Sequence, residues 1–274
     1  MARSGPRKGL LERVWALFGR RSRTLSFPSY DGERPSAIPP GRLVYAIGDI
    51  HACADLFWAL LDRIADDTTA RMGRAVTMIV LGDIIDRGPD SEKMLRTMHQ
   101  LSQTRDNVIV IRGNHEQMLL DVLDGSYDAL ALWLRHGGRE FLGSFAIDEA
   151  LMDPDRMREL IAALQQAIAP PIVAWLRSLP FKVRIGDYLF VHAGIRPGVP
   201  IEKQEDTDLL WIRDAFLDYD GPHQAVIVHG HTIVESGPEM LRYRIGVDTG
   251  AYRTGILTAV GLAGEDRWII QNTD

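Results

Sequence analysis

The chain is predicted to be an α/β protein, and three observations carry that prediction. Apolar runs of strand length recur from residue 42 onward, helix-like periods lie between them, and short polar clusters close the runs. Strands alternating with helices build a sheet whose strand ends gather the loops that carry chemistry.

The strand-like runs are Leu43–Ile47, Val76–Leu81, Val108–Ile111, Tyr188–Val191, Ala225–Val228 and Ile256–Val260, several of them rich in β-branched residues. Helical periods cover Ala54–Ala65, Ser91–Leu101 and Glu116–Leu123. Residues 124–180 are mostly helical in period, hold no obvious catalytic cluster, and read as an elaboration covering the sheet or as a cap. Near the start, Leu10, Leu11, Val14, Leu17 and Phe18 share one helical face among arginines, so residues 1–23 form a basic amphipathic arm. Such an arm is either a weakly docked helix or a peripheral membrane or partner anchor. Residues 24–41, ending in Pro39-Pro40-Gly41, read as a linker, which leaves 42–274 as the folded domain.

Composition narrows the function classes. With 46% hydrophobic and 25% charged residues, the 274-residue chain can bury a sizeable core. Residues 1–23 hold seven basic residues against Glu12, a net +6, while the whole chain is −6, so residues 24–274 sum to −12. A body that acidic is not expected to bind nucleic acid. The single cysteine, Cys53, excludes an intramolecular disulfide and a cysteine-based zinc cluster, and suits a reducing, cytoplasmic location. No apolar run reaches the roughly 18 residues of a membrane span. Leu10–Phe18 is interrupted by Glu12 and Arg13 with no small-residue cleavage site after it, so a signal peptide is not expected.

The polar clusters are the informative part. The first run ends in Gly48-Asp49-Ile50-His51 and the second in Gly82-Asp83-Ile84-Ile85-Asp86-Arg87-Gly88. The third leads into Arg112-Gly113-Asn114-His115-Glu116, the fourth into His192-Ala193-Gly194, and a later one into His229-Gly230-His231-Thr232. Any one of them has a plain explanation, since Asp, Asn and Gly favour turns and helix caps. Their repetition at successive strand ends does not. Asp, His and Asn suit divalent ions such as Mn²⁺, Fe and Zn²⁺, and one shared carboxylate would make a two-metal clamp for displacement at phosphorus. Arg87 and Arg112 beside them offer forked donors matched to phosphate oxygens.

GDIH, GDIIDRG and GNHE, in that order and at these separations, resemble the signature of metallophosphoesterases of the phosphoprotein phosphatase family. The later HAG, GHT and VDTGA (247–251) resemble its compact bacterial and phage members, and the likeness covers about residues 42–262. The resemblance implies a calcineurin-like metallophosphoesterase fold, a β-sandwich of mixed sheets flanked by helices. It implies that Asp49 and His51 hold one metal, that Asp83 bridges two, and that Asn114, His192 and His231 complete the second. The implied cofactor is a pair of divalent ions, expected to be Mn²⁺ with Fe or Zn²⁺ as alternatives. A metal-bridging hydroxide would attack phosphorus in line, with His115 protonating the leaving alkoxide and Asp86 orienting it. Arg87, Arg112 and Arg213 (in Leu210-Trp211-Ile212-Arg213-Asp214) would bind the phosphate.

Several residues are read as bystanders. His231 is favoured over His229 as a ligand, while His99, His136 and His223 fall outside every motif. Cys53 lacks the arginine six residues on that a phosphatase thiolate would want, because position 59 is alanine. Ala52 departs from the family's usual glycine: if its backbone needs positive φ the alanine costs about 1 kcal/mol or more, and if the glycine only lets a neighbour approach closely the methyl merely narrows the mouth.

The function expected is hydrolysis of phosphomonoesters on serine and threonine, the partner being a phosphorylated protein or a small phosphoester. The alternative is symmetrical hydrolysis of diadenosine tetraphosphate, which the same motifs serve. A third reading is a non-catalytic docking module, which the intact Asp49, His51, Asp83, Asp86, Asn114, His115 and His192 oppose.

Overall fold

The computed structural model describes residue 32 and residues 34–273, so the basic arm expected at 1–23 lies outside the described residues. The chain begins as alternating units: β1 (Arg42–Ile47), α1 (Ala54–Ala70), β2 (Ala75–Val80), α2 (Ser91–Thr104), β3 (Val108–Val110) and α3 (Asn114–Leu123). β1, β2 and β3 pair in parallel, with Ile47 opposite Val80. The C-terminal hairpin of β9 (Thr258–Ala263) and β10 (Asp266–Gln271) adds antiparallel to β1, giving a five-stranded sheet in the order β10-β9-β1-β2-β3. The second sheet also has five strands: β4 (Lys182–Ile185), β5 (Tyr188–Val191), β6 (Val226–His229), β8 (Arg244–Gly246) and β7 (Glu239–Met240), in that spatial order.

Side chains alternate across a strand, so each strand serves two layers. Val44 and Ala46 of β1 meet Tyr188, Phe190, Val226 and Val228 in the apolar layer between the sheets. Leu43, Tyr45 and Ile47 point the other way, into a larger core with Phe57, Leu60, Met94 and Leu119 from the helices. The far face of the second sheet is covered by Leu209, Ile212 and Phe216. This is the α/β sandwich of two mixed sheets flanked by helices that the sequence predicts.

The six expected strands are present, with β9 starting two residues later than read. Four strands went unread: β4, β7, β8 and β10. Three of these are sheet edges, and β4 (KVRI) and β10 (DRWIIQ) interleave charges with apolar residues, while β7 and β8 span only two and three residues. A half-exposed or very short strand leaves no apolar run to read.

One boundary differs from expectation. Residues 34–41 of the expected linker are docked: Arg34 donates to both oxygens of Asp187 at 2.6 Å, the Ala37 amide donates to the same carboxylate, and Ile38 is buried. The 124–180 segment is helical as expected, through α4 (Tyr127–Trp133), a π turn (Leu134–Gly138), α5 (Arg139–Ser144), α6 (Met157–Ala167) and α7 (Pro170–Ser178). It buries Trp133, Phe141, Leu160 and Leu176 in the helix-side core. Among the described residues no single helix is long and apolar enough to cross a membrane.

The loops after β1, β2, β3, β5 and β6 meet at one edge of the sandwich. The Ile50 and His51 amides donate to the Asp83 carbonyl, and the Gly230 amide donates to the His192 carbonyl.

Candidate metal centre

Asp83 is the hub. Its Oδ2 lies 3.6 Å from His51 Nε2 and 3.8 Å from His115 Nε2, while Oδ1 lies 3.5 Å from His192 Nε2. Two clusters of candidate ligands therefore share this one carboxylate: His51, Asp83 and His115 on one side, Asp83, His192 and His231 on the other. All five residues are buried.

The protons on these rings can be assigned from their partners. His51 Nδ1 donates to the Ile85 carbonyl at 3.0 Å and His192 Nδ1 to the Leu81 carbonyl at 2.9 Å. Both leave a bare Nε2 lone pair aimed at the centre. His192 Nε2 stands 2.8 Å from Asn114 Oδ1 and 3.2 Å from His231 Nδ1, which is itself 3.1 Å from that oxygen. Burial pushes the His192 and His231 rings below their usual range, toward the neutral form. Neutral imidazole nitrogens, an amide oxygen and a carboxylate converging in a buried space form a donor set that suits divalent cations. The residues fit the pair of ions that the resemblance implies.

Asp49 is placed by the later loop: both its oxygens accept from the His231 amide, at 3.1 and 3.0 Å. That approach requires Gly230, where an added Cβ would lie 2.0 Å from Asp49 Oδ1. Burial and the nearby Asp248 and Asp83 carboxylates raise the Asp49 carboxyl well above its normal range. Asp248, from the VDTGA stretch, is likewise pushed up to about 6, chiefly by burial. Excess negative charge held out of water is costly unless a cation compensates it. For Asp83, burial opposes the charge, but the surrounding imidazoles of His192, His115 and His51 hold its carboxyl below the usual range.

His115 and Asp86 form a buried dyad, Nδ1 donating to Oδ2 at 2.6 Å. Burial alone would lower the imidazole, but the Asp83 and Asp86 carboxylates outweigh it and raise His115 above its ordinary value. The sequence-predicted arginines separate. Arg87 is at the centre, its NH1 3.0 Å from His51 Nε2 and its NH2 3.1 Å from His115 Nε2. Arg213 is exposed at the rim, and its charge is among those depressing His192 and His231. Arg112 is committed elsewhere. Its NH1 donates to Gln117 at 2.9 Å, its NH2 to the Arg177 carbonyl at 2.6 Å, and it sits over the Phe181 ring.

Sequence reading missed several groups. Glu116 is wholly buried and accepts from the amides of Asp83, Ile84 and Gly113, each at 2.9 Å, which locks the hub loop to α3. In sequence it closes the GNHE motif and takes the third position of a helix, where a capping glutamate is common, and neither mark assigns it this hold on the hub. Trp133, from the covering segment, donates Nε1–H to Asp86 Oδ2 at 2.8 Å. That segment therefore reaches the site, as a cap would. Two half-exposed rings flank the site: Tyr252 edges His51 at 5.3 Å and Trp211 edges His231 at 6.2 Å between centroids.

The backbone is unusual here. Among the described residues seven non-glycine residues have positive φ, and they include His51, Ala52, Asp83, Asp86, Arg87 and His231. Ala52, at φ 54, does occupy the conformation that favours glycine. The Cys53 thiol donates to the His51 carbonyl at 3.3 Å, and burial pushes it up to about 11, away from the thiolate form a nucleophile needs. His229 turns Nδ1 toward the Gly230 carbonyl and packs its ring on Phe216, outside both clusters.

The profile of the calcineurin-like phosphoesterase family matches residues 43–253. The chain belongs to this family. It is 29% identical over 222 residues to serine/threonine-protein phosphatase 1 of Salmonella typhimurium, which covers 79% of this chain and 90% of that one. It is 30% identical over 155 residues to the symmetrical bis(5'-nucleosyl)-tetraphosphatase of Aromatoleum aromaticum, covering 57% of this chain and 45% of that protein. The chain thus spans about half the length of the tetraphosphatases it matches. Among solved structures, a candidate diadenosine tetraphosphatase superposes with a TM-score of 0.58 at 20% identity, over 87% of this chain and 98% of that one, a likeness of fold.

Proposed function

We propose that this metallophosphoesterase hydrolyses phosphomonoesters on serine and threonine. The observation that carries the reading is the near end-to-end match with serine/threonine-protein phosphatase 1, 90% of whose length aligns, against under half for the tetraphosphatase of Aromatoleum aromaticum. Asp49, His51 and Asp83 would hold one divalent ion, and Asp83, Asn114, His192 and His231 a second, with Mn²⁺ the proposed metal. When bound, such ions lower the pKa of water and neutralise phosphate charge.

The remaining steps belong to this chain's side chains. Arg87 presents a forked guanidinium at the centre, supporting a role in gripping phosphate oxygens, with Arg213 reaching in from the rim. His115 carries its raised proton affinity next to the hub, and Asp86 fixes the ring by holding Nδ1. Nε2 is then the atom from which a proton passes to the leaving alkoxide. Glu116 and α3 hold the loop still while this occurs.

A second reading, symmetrical cleavage of a dinucleoside tetraphosphate, is favoured by Trp211 and Tyr252, exposed aromatic rings on which bases could stack beside the centre. The two readings separate on product analysis with Mn²⁺-loaded protein. Inorganic phosphate released from phosphoserine and phosphothreonine peptides supports the first; ADP from diadenosine tetraphosphate without peptide turnover sinks it.

A further inference from the structure

We propose that Trp133 and the π turn Leu134–Gly138 form a clamp that positions Asp86 and Arg87, so the covering segment sets both proton delivery and phosphate grip. This deepens the phosphoesterase reading and rests on it.

Asp86 is the first half of the case. Its Oδ2 takes two donors, His115 Nδ1 at 2.6 Å and Trp133 Nε1 at 2.8 Å, while Oδ1 is buried with no partner. The carboxylate's rotation is therefore decided by the donors on one oxygen. Without the indole N–H, only the His115 bond itself would orient the group meant to orient His115. Trp133 cannot drift: it is fully buried, edges Phe141 at 5.3 Å, and lies so close to Gly138 that a Cβ there would meet its ring at 2.5 Å. A buried indole N–H needs an acceptor wherever the ring packs, and the acceptor it has here is the carboxylate of the dyad, so packing and orientation are joined in one contact.

Arg87 is the second half. A π turn breaks the regular helical ladder and frees carbonyls for other donors. Here two such carbonyls are used: Gly137 O accepts from the Arg87 amide at 3.2 Å and His136 O from Arg87 Nε at 3.3 Å. Gly137 has φ 118, and a Cβ on it would fall 2.6 Å from Arg87 Cγ and 2.7 Å from its nitrogen. The backbone of Asp86 and Arg87, both left-handed at φ 70 and 65, is thus held against a surface shaped to receive it. Nδ1 of His136 is turned away onto the Leu132 carbonyl, so the contribution at that position is its backbone.

The two arms of the clamp predict different losses, which a merely structural role would not. In Mn²⁺-loaded full-length protein, Trp133→Phe should lower kcat on a phosphoserine peptide about tenfold, and on p-nitrophenyl phosphate less than about twofold, with KM unchanged. Aryl leaving groups need little protonation, so only the alkyl ester feels a misplaced acid. In the metal-free protein the same substitution should shift the proton resonance of His115 Nδ1–H. Gly137→Ala should instead raise the inhibition constant of inorganic phosphate about tenfold, with the two substrates losing kcat equally. His115→Asn is the reference. If it discriminates alkyl from aryl esters and Trp133→Phe does not, or if the Nδ1–H resonance is unmoved, the clamp on Asp86 is overturned. Unchanged phosphate inhibition in Gly137→Ala overturns the clamp on Arg87. If His115→Asn itself shows no discrimination, the proton-delivery reading fails first, and the Asp86 arm falls with it.

Discussion

The two sides of Asp83 are built differently. On one side His51 presents a bare Nε2, and Arg87 lies within hydrogen-bond distance of that atom and of His115 Nε2. On the other, His192 Nε2, His231 Nδ1 and Asn114 Oδ1 face one another with Arg213 only at the rim. The first side has a resident cation that can satisfy its lone pairs when metal is absent. Among the described residues the second has no cationic side chain within hydrogen-bond distance, and its two imidazole nitrogens and amide oxygen face only one another. The second half is therefore expected to lean on a bound ion for its integrity more than the first.

The largest expected effect removes what both sides share. Asp83→Asn should lower turnover by about two orders of magnitude or more and reduce bound metal on both sides, read by kinetics and metal content; retention of either ion at wild-type stoichiometry would mean the hub is not shared. Next comes metal removal. After chelation, hydrogen exchange should rise in peptides spanning residues 226–234 and stay near its loaded level in those spanning 48–53; equal rises would erase the contrast. The arginines give a smaller, graded test. Arg87→Ala should raise KM on the order of tenfold, whereas Arg112→Ala, its guanidinium tied to Gln117 and the Arg177 carbonyl, should change KM less than about threefold. The smallest effect is expected at Ala52→Gly. Relief of the left-handed backbone gains about 1 kcal/mol, but the lost buried methyl and the freer unfolded chain cost about as much. Thermal unfolding should shift by no more than a few degrees with turnover intact; a loss above about 2 kcal/mol would make that methyl a packing element.

Much of this could be read in the sequence because each candidate ligand ends a buried strand. Such strands are continuous apolar runs, and Asp49, Asp83, Asn114, His192 and His231 follow them at once. What went unread depends on contacts across the fold. Trp133 sits in a helical period and reads as core, which it also is; nothing local marks the indole that reaches Asp86, 47 residues away. Glu116 reads as a helix cap, and its hold on Asp83 becomes visible only when two loops meet. The contacts of Arg112 were hidden for the same reason, since its neighbours in sequence are candidate ligands while its hydrogen-bond partners are Gln117 and the end of α7. Ala52 left two explanations open, and only its φ angle chose between them.

The cluster of left-handed residues has a consequence for how this protein can change. Six strained positions at about 1 kcal/mol each come to a sum comparable with the whole stability of a typical domain. That load is present in every copy of the folded chain, working or idle, and the two apolar layers of the sandwich must carry it. Lineages adapting to heat would find gains by relaxing those positions, and at His51, Asp83, Asp86, Arg87 and His231 would lose the catalyst in taking them. Selection for warmth and selection for turnover therefore pull on the same few backbone angles, and durable adaptation has to be found in the core.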